Sequence, residues 1–312
     1  MSTDVKILES TSIRTRSRIL DYVELMKPEL TGLSVLTTLC GFYLATTDEM
    51  NYWLFFHVAL GTLLIGGGAG ALNQYIERNY DALMKRTERR PLPAGRLLPV
   101  EVLVFGIVIS VIGIIQLSLF VNILTGFLGA LTWTTYLFLY TPLKRVTPLS
   151  TLIGGIPGAL PPMMGWTAVR NEVSSEAWIL FAILFCWQMP HFFSLAWMYR
   201  KDYARAGFKI LTVSDENGLK TSRQIVIYCL ALIPASLAPA YIGMTGSLST
   251  IGALILGAGF LLFGMLLFKF SGHSEPEAMN KINYYSRRMF FASLIYLPIL
   301  MLLMSFDKIR IS

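Results

Sequence analysis

Residues 54–95 read LFFHVALGTLLIGGGAGALNQYIERNYDALMKRTERRPLPAG. The first part, to about residue 76, is an apolar run long enough to cross a bilayer as a helix. The second part, from Asn73 onward, is crowded with acids and bases. An apolar run of this length implies lipid, and the charges that leave it imply work at the lipid surface.

The remainder of the chain repeats the first half of that pattern. Of its 312 residues, 54% are hydrophobic and 14% charged, against about 25% charged in ordinary soluble domains. Nine apolar runs can be marked, at roughly 28–46, 54–76, 100–120, 123–142, 149–168, 177–199, 224–244, 248–269 and 289–306. The expectation is an all-α, polytopic membrane protein of about nine transmembrane helices. It divides into an N-terminal tail, 1–27, and a single membrane domain, 28–312.

Nine spans also sort the positive charge. All of the 26 basic residues except Arg170, Lys308 and Arg310 fall on one side of the membrane. Lys/Arg-rich loops are cytoplasmic, so the N-terminus is expected inside and the C-terminus outside. A net charge of +7 therefore serves topology, and no nucleic-acid partner is expected. The tail carries Asp4, Glu9, Asp21 and Glu24 and no apolar core, which argues against a secretory signal or a transit peptide. Its short, mixed-charge character favours a bacterial inner membrane over a mitochondrial one. Cys40, Cys186 and Cys229 lie inside spans without CxxC spacing and read as packing residues.

The outer connections are short. The inner ones are long and charged, so chemistry is expected at the inner face. There Asn73, Glu77 and Asp81 recur at i, i+4 and i+8 and project from one face of a helix. Carboxylates at the edge of lipid are functional candidates by default, and oxygen-only ligands suit Mg²⁺ shared with substrate phosphates. Lys85, Arg86, Arg89 and Arg90 follow, then PLPAG, expected to end the helix. Acids beside bases suggest a metal-bridged diphosphate whose free oxygens are held by cations. The competing reading is a solvated helix end whose acids and bases pair with each other.

A second inner loop, YRKDYARAGFKILTVSDENGLKT (199–221), places Asp202 among Arg200, Lys201, Arg205 and Lys209. Span six holds WQMPHFFSLAW, where His191 follows Pro190, a residue that frees a carbonyl and kinks a helix. Span four ends in YLFLYTPLKR, so Lys144 and Arg145 are in reach of an anion held between the two acidic loops. Lys27-Pro28 opens span one. GGGAG (66–70) and GGIPGALPPMMGW (154–166) allow close helix approach, and Pro157, Pro161 and Pro162 are expected to kink span five around a cavity.

These pieces together resemble the UbiA-type intramembrane prenyltransferase superfamily. NQYIERNYDALMKRTERRPLPAG, YTPLKR, WQMPHF and YRKDYARAG match in order across the whole chain, and the RTxRPLPxG tail with WQMPHF points to the heme-prenylating branch. The resemblance implies a nine-helix bundle around a central cavity, capped by two polar loops. It implies a transferase that moves the farnesyl group of farnesyl diphosphate to a vinyl group of heme B, with addition of water, giving heme O. By matching positions, Asn73, Glu77, Asp81 and Asp202 are expected to bind one or two Mg²⁺ ions. Lys85, Arg89, Arg90, Lys144, Arg145 and Lys201 are candidate diphosphate contacts.

His191 is left with three roles: heme iron, a propionate, or proton transfer. Tyr199 and Tyr203 are candidates for contact with the prenyl cation or heme. A downstream heme-modifying membrane enzyme is a conceivable partner. This chain departs from many relatives in two places: Met198 and Ala206 stand where a second acid would pair with Asp202, and Gln74 and Glu77 replace Asp. Two rival functions remain: a prenyltransferase of an aromatic quinone precursor, and a transporter. Transporters commonly show repeated halves meeting at the midplane, and no such symmetry is visible here.

Overall fold

A computed structural model describes residues 17–309. Lys6, Arg14, Arg16 and Arg310, counted above for topology, and the tail acids Asp4 and Glu9 lie outside the described residues, as does most of the tail 1–27. The described chain is helical with no strand. A short helix α1 (Arg18–Leu25) precedes nine long ones: α2 (Pro28–Ala45), α3 (Tyr52–Asp81), α4 (Pro99–Phe120), α5 (Ile123–Leu143), α6 (Ser150–Arg170), α7 (Ser175–Met198), α10 (Leu219–Tyr241), α11 (Ser247–Phe270) and α12 (Pro276–Phe306). Two short helices, α8 (Arg200–Arg205) and α9 (Leu211–Ser214), lie between α7 and α10.

The chain is a multi-pass membrane protein. Seven of the nine long helices are long and apolar enough to cross a membrane by length and composition; α2 and α6 are more polar. Thr31, Thr37, Thr38 and Gly41 of α2 and Gly155, Pro157, Pro161, Pro162 and Gly165 of α6 are buried against other helices, so lipid does not set their composition. The apolar runs also understate helix length. α3 continues to Asp81, α12 begins at Pro276, and α10 begins at Leu219, because a backbone goes on satisfying its own hydrogen bonds after the apolar stretch ends. PLPAG does not end α3: the helix stops at Asp81, and 82–97 fold into successive turns.

Sequential neighbours pack side by side, α3 on α4, α4 on α5, α5 on α6 and α6 on α7. The second half closes the ring: α7 meets α10 and α12, α10 meets α11, and α11 meets α12. α2 closes the interior by packing on α3, α6 and α12. Lipid gives little hydrophobic drive for helix association, so close van der Waals approach has to supply it. The α2–α6 crossing shows how. A Cβ at Gly165 would fall inside the radius of the Thr38 carbonyl oxygen, and one at Gly41 would strike the Pro162 carbonyl. On the outside, α4 exposes Val104, Ile107, Val108, Val111, Ile112 and Ile115 as an apolar lipid face.

Candidate active site

The polar end of α3 faces inward. Asn73, Glu77 and Asp81 are all buried, although each sits where the helix leaves the apolar run. Asn73 fixes the geometry. Its Oδ1 accepts from Lys27 Nζ at 2.5 Å, and its Nδ2 donates to Glu77 Oε2 at 3.0 Å and to Thr141 Oγ1 at 3.1 Å. Lys144 Nζ lies 2.5 Å from Glu77 Oε1. Asp81 Oδ2 pairs with Arg90 at 2.8 Å, while Asp81 Oδ1 is buried with no hydrogen-bond partner.

Local structure delivers each cation. The turns after Asp81 bring Arg90 back over the helix end, and the Thr87 hydroxyl ties them down by donating to the Asp81 carbonyl at 2.8 Å. Lys27 sits between α1 and α2 with φ of 50°, a left-handed conformation that is uncommon for a residue with a side chain. α1 holds that corner. Arg96 pairs with Asp21 at 2.7 Å and Glu24 at 3.0 Å, and Gln74 donates to the Glu24 and Leu25 carbonyls. Near its end α5 passes through a π-helical turn, Thr135–Tyr140, a feature that recurs at functional sites. The Thr141 hydroxyl donates to the Tyr136 carbonyl at 2.8 Å, and Tyr136 and Tyr140 line the cavity beside Lys144.

The cavity has a volume of about 360 Å³. Its charged mouth holds Lys27, Arg86, Arg90 and Lys144 against Glu77 and Asp81, four cations to two carboxylates. Burial, with Arg90 nearby, pushes Lys27 down to about 7; burial also opposes charge on Lys144, yet Glu77 holds it above the ordinary lysine range. Such a mouth attracts an anion. Deeper in, Ile65, Met164, Leu184, Leu195 and Leu297 make the wall apolar, and Trp187 and His191 sit among them.

Among the described residues no three His, Cys, Asp or Glu side chains cluster closely enough to hold a metal by themselves. Asn73 Oδ1, Glu77 Oε1 and Asp81 Oδ1 still offer oxygen donors, one of them buried and unpartnered. That set fits a cation which keeps waters and shares substrate oxygens, as Mg²⁺ does.

The expected site residues divide. Asn73, Glu77, Asp81, Arg90, Lys144, His191 and Tyr203 line this one cavity. Lys85 and Arg89 are exposed on the 82–97 turns. Arg145 turns to Tyr80, donating to its hydroxyl at 2.7 Å. Tyr199, Lys201 and Asp202 line a separate polar hollow against the start of α12, with Asp202 paired to Arg205 at 3.2 Å. Arg86 bridges the two loops: its guanidinium lies 5.0 Å from the Tyr199 ring centre and donates to Tyr203 Oη at 3.2 Å.

Reading the sequence for site residues passed over Tyr136 and Tyr140, grouped Arg86 with the other bases after Asp81, and marked Lys27 only as the start of span one. Lys27 beside Pro28 at the mouth of a span was the available signal. Nothing in TYLFLY announces a π turn.

The comparisons place the chain in a family. The UbiA prenyltransferase family model matches residues 34–295. A protein from Solibacter usitatus named protoheme IX farnesyltransferase is 45% identical over 298 residues, covering 92% of this chain and 98% of its own. One of the same name from Koribacter versatilis is 41% identical, with 94% of each chain covered. Among solved structures, one described as digeranylgeranylglyceryl phosphate synthase superposes with a TM-score of 0.74 at 17% identity, covering 94% of this chain and 99% of that one. A UbiA homolog from Archaeoglobus fulgidus, bound to GPP and Mg²⁺, gives 0.61 at 11%, covering 89% and 99%. With the family model spanning most of the chain and relatives this similar along nearly its whole length, the chain belongs to the UbiA prenyltransferase family.

Proposed function

We propose that the protein transfers a farnesyl group from farnesyl diphosphate to a vinyl group of heme B, with addition of water, yielding heme O and diphosphate. The observation that carries this reading is the polarity of one cavity: four cations and an oxygen-donor face at its mouth, an apolar wall beneath. A diphosphate with a hydrocarbon tail has that same polarity. The names of the relatives point to heme as the acceptor.

Lys27, Arg86, Arg90 and Lys144 hold the diphosphate oxygens. Asn73, Glu77 and Asp81 would hold Mg²⁺, which when bound would supply further neutralisation of the leaving group. The C1–O bond of the donor breaks and its electron pair leaves with the diphosphate, whose growing charge is met by cations already in place. The Tyr136 and Tyr140 rings present π faces to the allylic cation. The terminal carbon of the vinyl group attacks C1, leaving a cation on the carbon next to the porphyrin. Water adds there and releases a proton, giving the hydroxyethylfarnesyl group. The apolar wall keeps water from the first cation until the carbon–carbon bond has formed.

Asp202 and Lys201 lie on α8 in the neighbouring hollow. The backbone bond from Lys209 N to the Lys144 carbonyl, at 2.8 Å, anchors the far side of that loop. Asp202 would be the ligand that this loop offers to a second Mg²⁺. A bacterial inner membrane, with the charged end cytoplasmic, is the proposed location.

The test is single turnover in nanodiscs with heme B, farnesyl diphosphate and Mg²⁺, the hemes being separated by chromatography and weighed. A heme heavier by farnesyl plus water, absent without Mg²⁺, supports the reading. Unchanged heme alongside prenylation of an aromatic quinone precursor moves the acceptor. No turnover with any acceptor, in folded protein, overturns the enzyme reading.

A further inference from the structure

His191 sits in the membrane interior on α7, one residue after Pro190, and lines the cavity below the charged mouth. Its Nδ1 lies 2.7 Å from Ser293 Oγ on α12. Ser293 has one proton to give, and its hydroxyl donates it to the Phe290 carbonyl at 2.5 Å. Both bonds are satisfied at once when the His191–Ser293 contact takes its proton from the imidazole. In that tautomer Nδ1 carries the hydrogen and Nε2 keeps a bare lone pair.

The surroundings keep the ring neutral. It stacks on Trp187 at 5.1 Å and 21°, meets Phe290 at 4.9 Å, and touches the edge of Phe192. An imidazolium in that aromatic cage would stand among apolar rings with no counter-ion, and ionised groups inside a membrane are costly. A lone pair without a hydrogen accepts or coordinates; it cannot donate to a propionate. A neutral imidazole whose other nitrogen donates to a fixed oxygen is the arrangement of a metal-ligating histidine held by its outer partner.

We propose that His191 Nε2 is an axial ligand to the iron of the acceptor heme, with Ser293 as the positioning residue that fixes its tautomer and plane. This rests on the reading of heme as acceptor. Ligation would place the macrocycle at one height in the cavity, setting its vinyl edge against the donor. Trp187 is held in turn by a bond from its Nε1 to the Ser293 carbonyl at 2.9 Å, so a single residue of α12 anchors both rings.

The experiment titrates ferric and ferrous heme B into the full chain in nanodiscs, with no diphosphate present. Absorption and magnetic circular dichroism read the ligand, and a separation assay reads turnover. The expected wild-type spectrum is that of histidine-ligated heme. H191A should lose that signature and regain it with added imidazole, and H191C should change it to a thiolate type. S293A should keep histidine ligation but bind heme roughly tenfold or more weakly, the scale of outer-partner losses, and S293T should recover the affinity. Should H191A fail to fold, H191C carries the test. If H191A or H191C binds heme with the wild-type spectrum, the ligation is overturned, while continued farnesylation by wild type leaves the proposed function standing. Wild-type protein that binds no heme overturns both.

Discussion

The buried Glu77–Lys144 pair separates a diphosphate site from a packed ion pair. At 2.5 Å and an effective dielectric of about 20, the attraction is about 7 kcal/mol; desolvation of both groups consumes most of it. What remains measurable is the cost of breaking one side, about 3–5 kcal/mol. Glu77→Gln keeps an oxygen for the Asn73 amide but strands Lys144, raising the surplus charge of the mouth from two to three. Its stability in detergent should fall by about that amount, and so should that of Lys144→Met. The double variant removes both charges and should recover most of the loss. Turnover should not follow stability. If Glu77 holds Mg²⁺ and Lys144 holds diphosphate, both single variants and the double stay down by roughly 100-fold or more, since each 1.36 kcal/mol of lost transition-state stabilisation is tenfold. The assay is single-turnover farnesylation beside thermal unfolding of the same preparations. Glu77→Gln turning over within threefold of wild type, or a double variant that regains turnover along with stability, would refute the assignment and leave the pair a packing device.

Three further outcomes are expected. Gly165→Ala should push α2 and α6 apart and cost about 1–3 kcal/mol by thermal unfolding; Gly259→Ala, whose Cβ meets nothing within 4 Å, should leave the midpoint unchanged. Arg96→Ala leaves buried Asp21 without its partner, so α1 should detach at a cost near 3 kcal/mol, read as faster proteolysis at 18–25 together with weaker farnesyl diphosphate binding through Lys27. Asp202→Asn should raise the Mg²⁺ concentration needed for half-maximal turnover while heme affinity stays unchanged; an unaltered Mg²⁺ dependence would remove Asp202 from the site.

Much of the architecture was legible because lipid imposes it. Every long helix overlaps one of the apolar runs, and the spacing of Asn73, Glu77 and Asp81 placed them on one face without reference to any other element. The helix ends were less legible. α3 stops at Asp81 because the chain there turns back to bring Arg90 onto Asp81, and that partnership lies in tertiary contact, beyond the reach of hydropathy. Basic residues were the hardest to sort. Lys85, Arg89 and Arg90 look alike in KRTERR, yet Arg90 reaches the cavity while Lys85 and Arg89 face solvent. Lys27, counted with the tail, reaches the same mouth through a left-handed corner held by Arg96.

By itself, then, the sequence determined what depends on local chemistry and on the bilayer: an all-helical multi-pass chain, and the acidic face of α3. Tertiary structure alone decided which cations meet that face, that a π turn aims Tyr136 and Tyr140 beside Lys144, that Asp202 rests outside the cavity, and that Ser293, a hundred residues on, meets the imidazole of His191. The reason is physical. Spacing along one helix is set by its own hydrogen bonds, whereas a meeting between helices depends on how glycine-lined surfaces such as α2 and α6 pack.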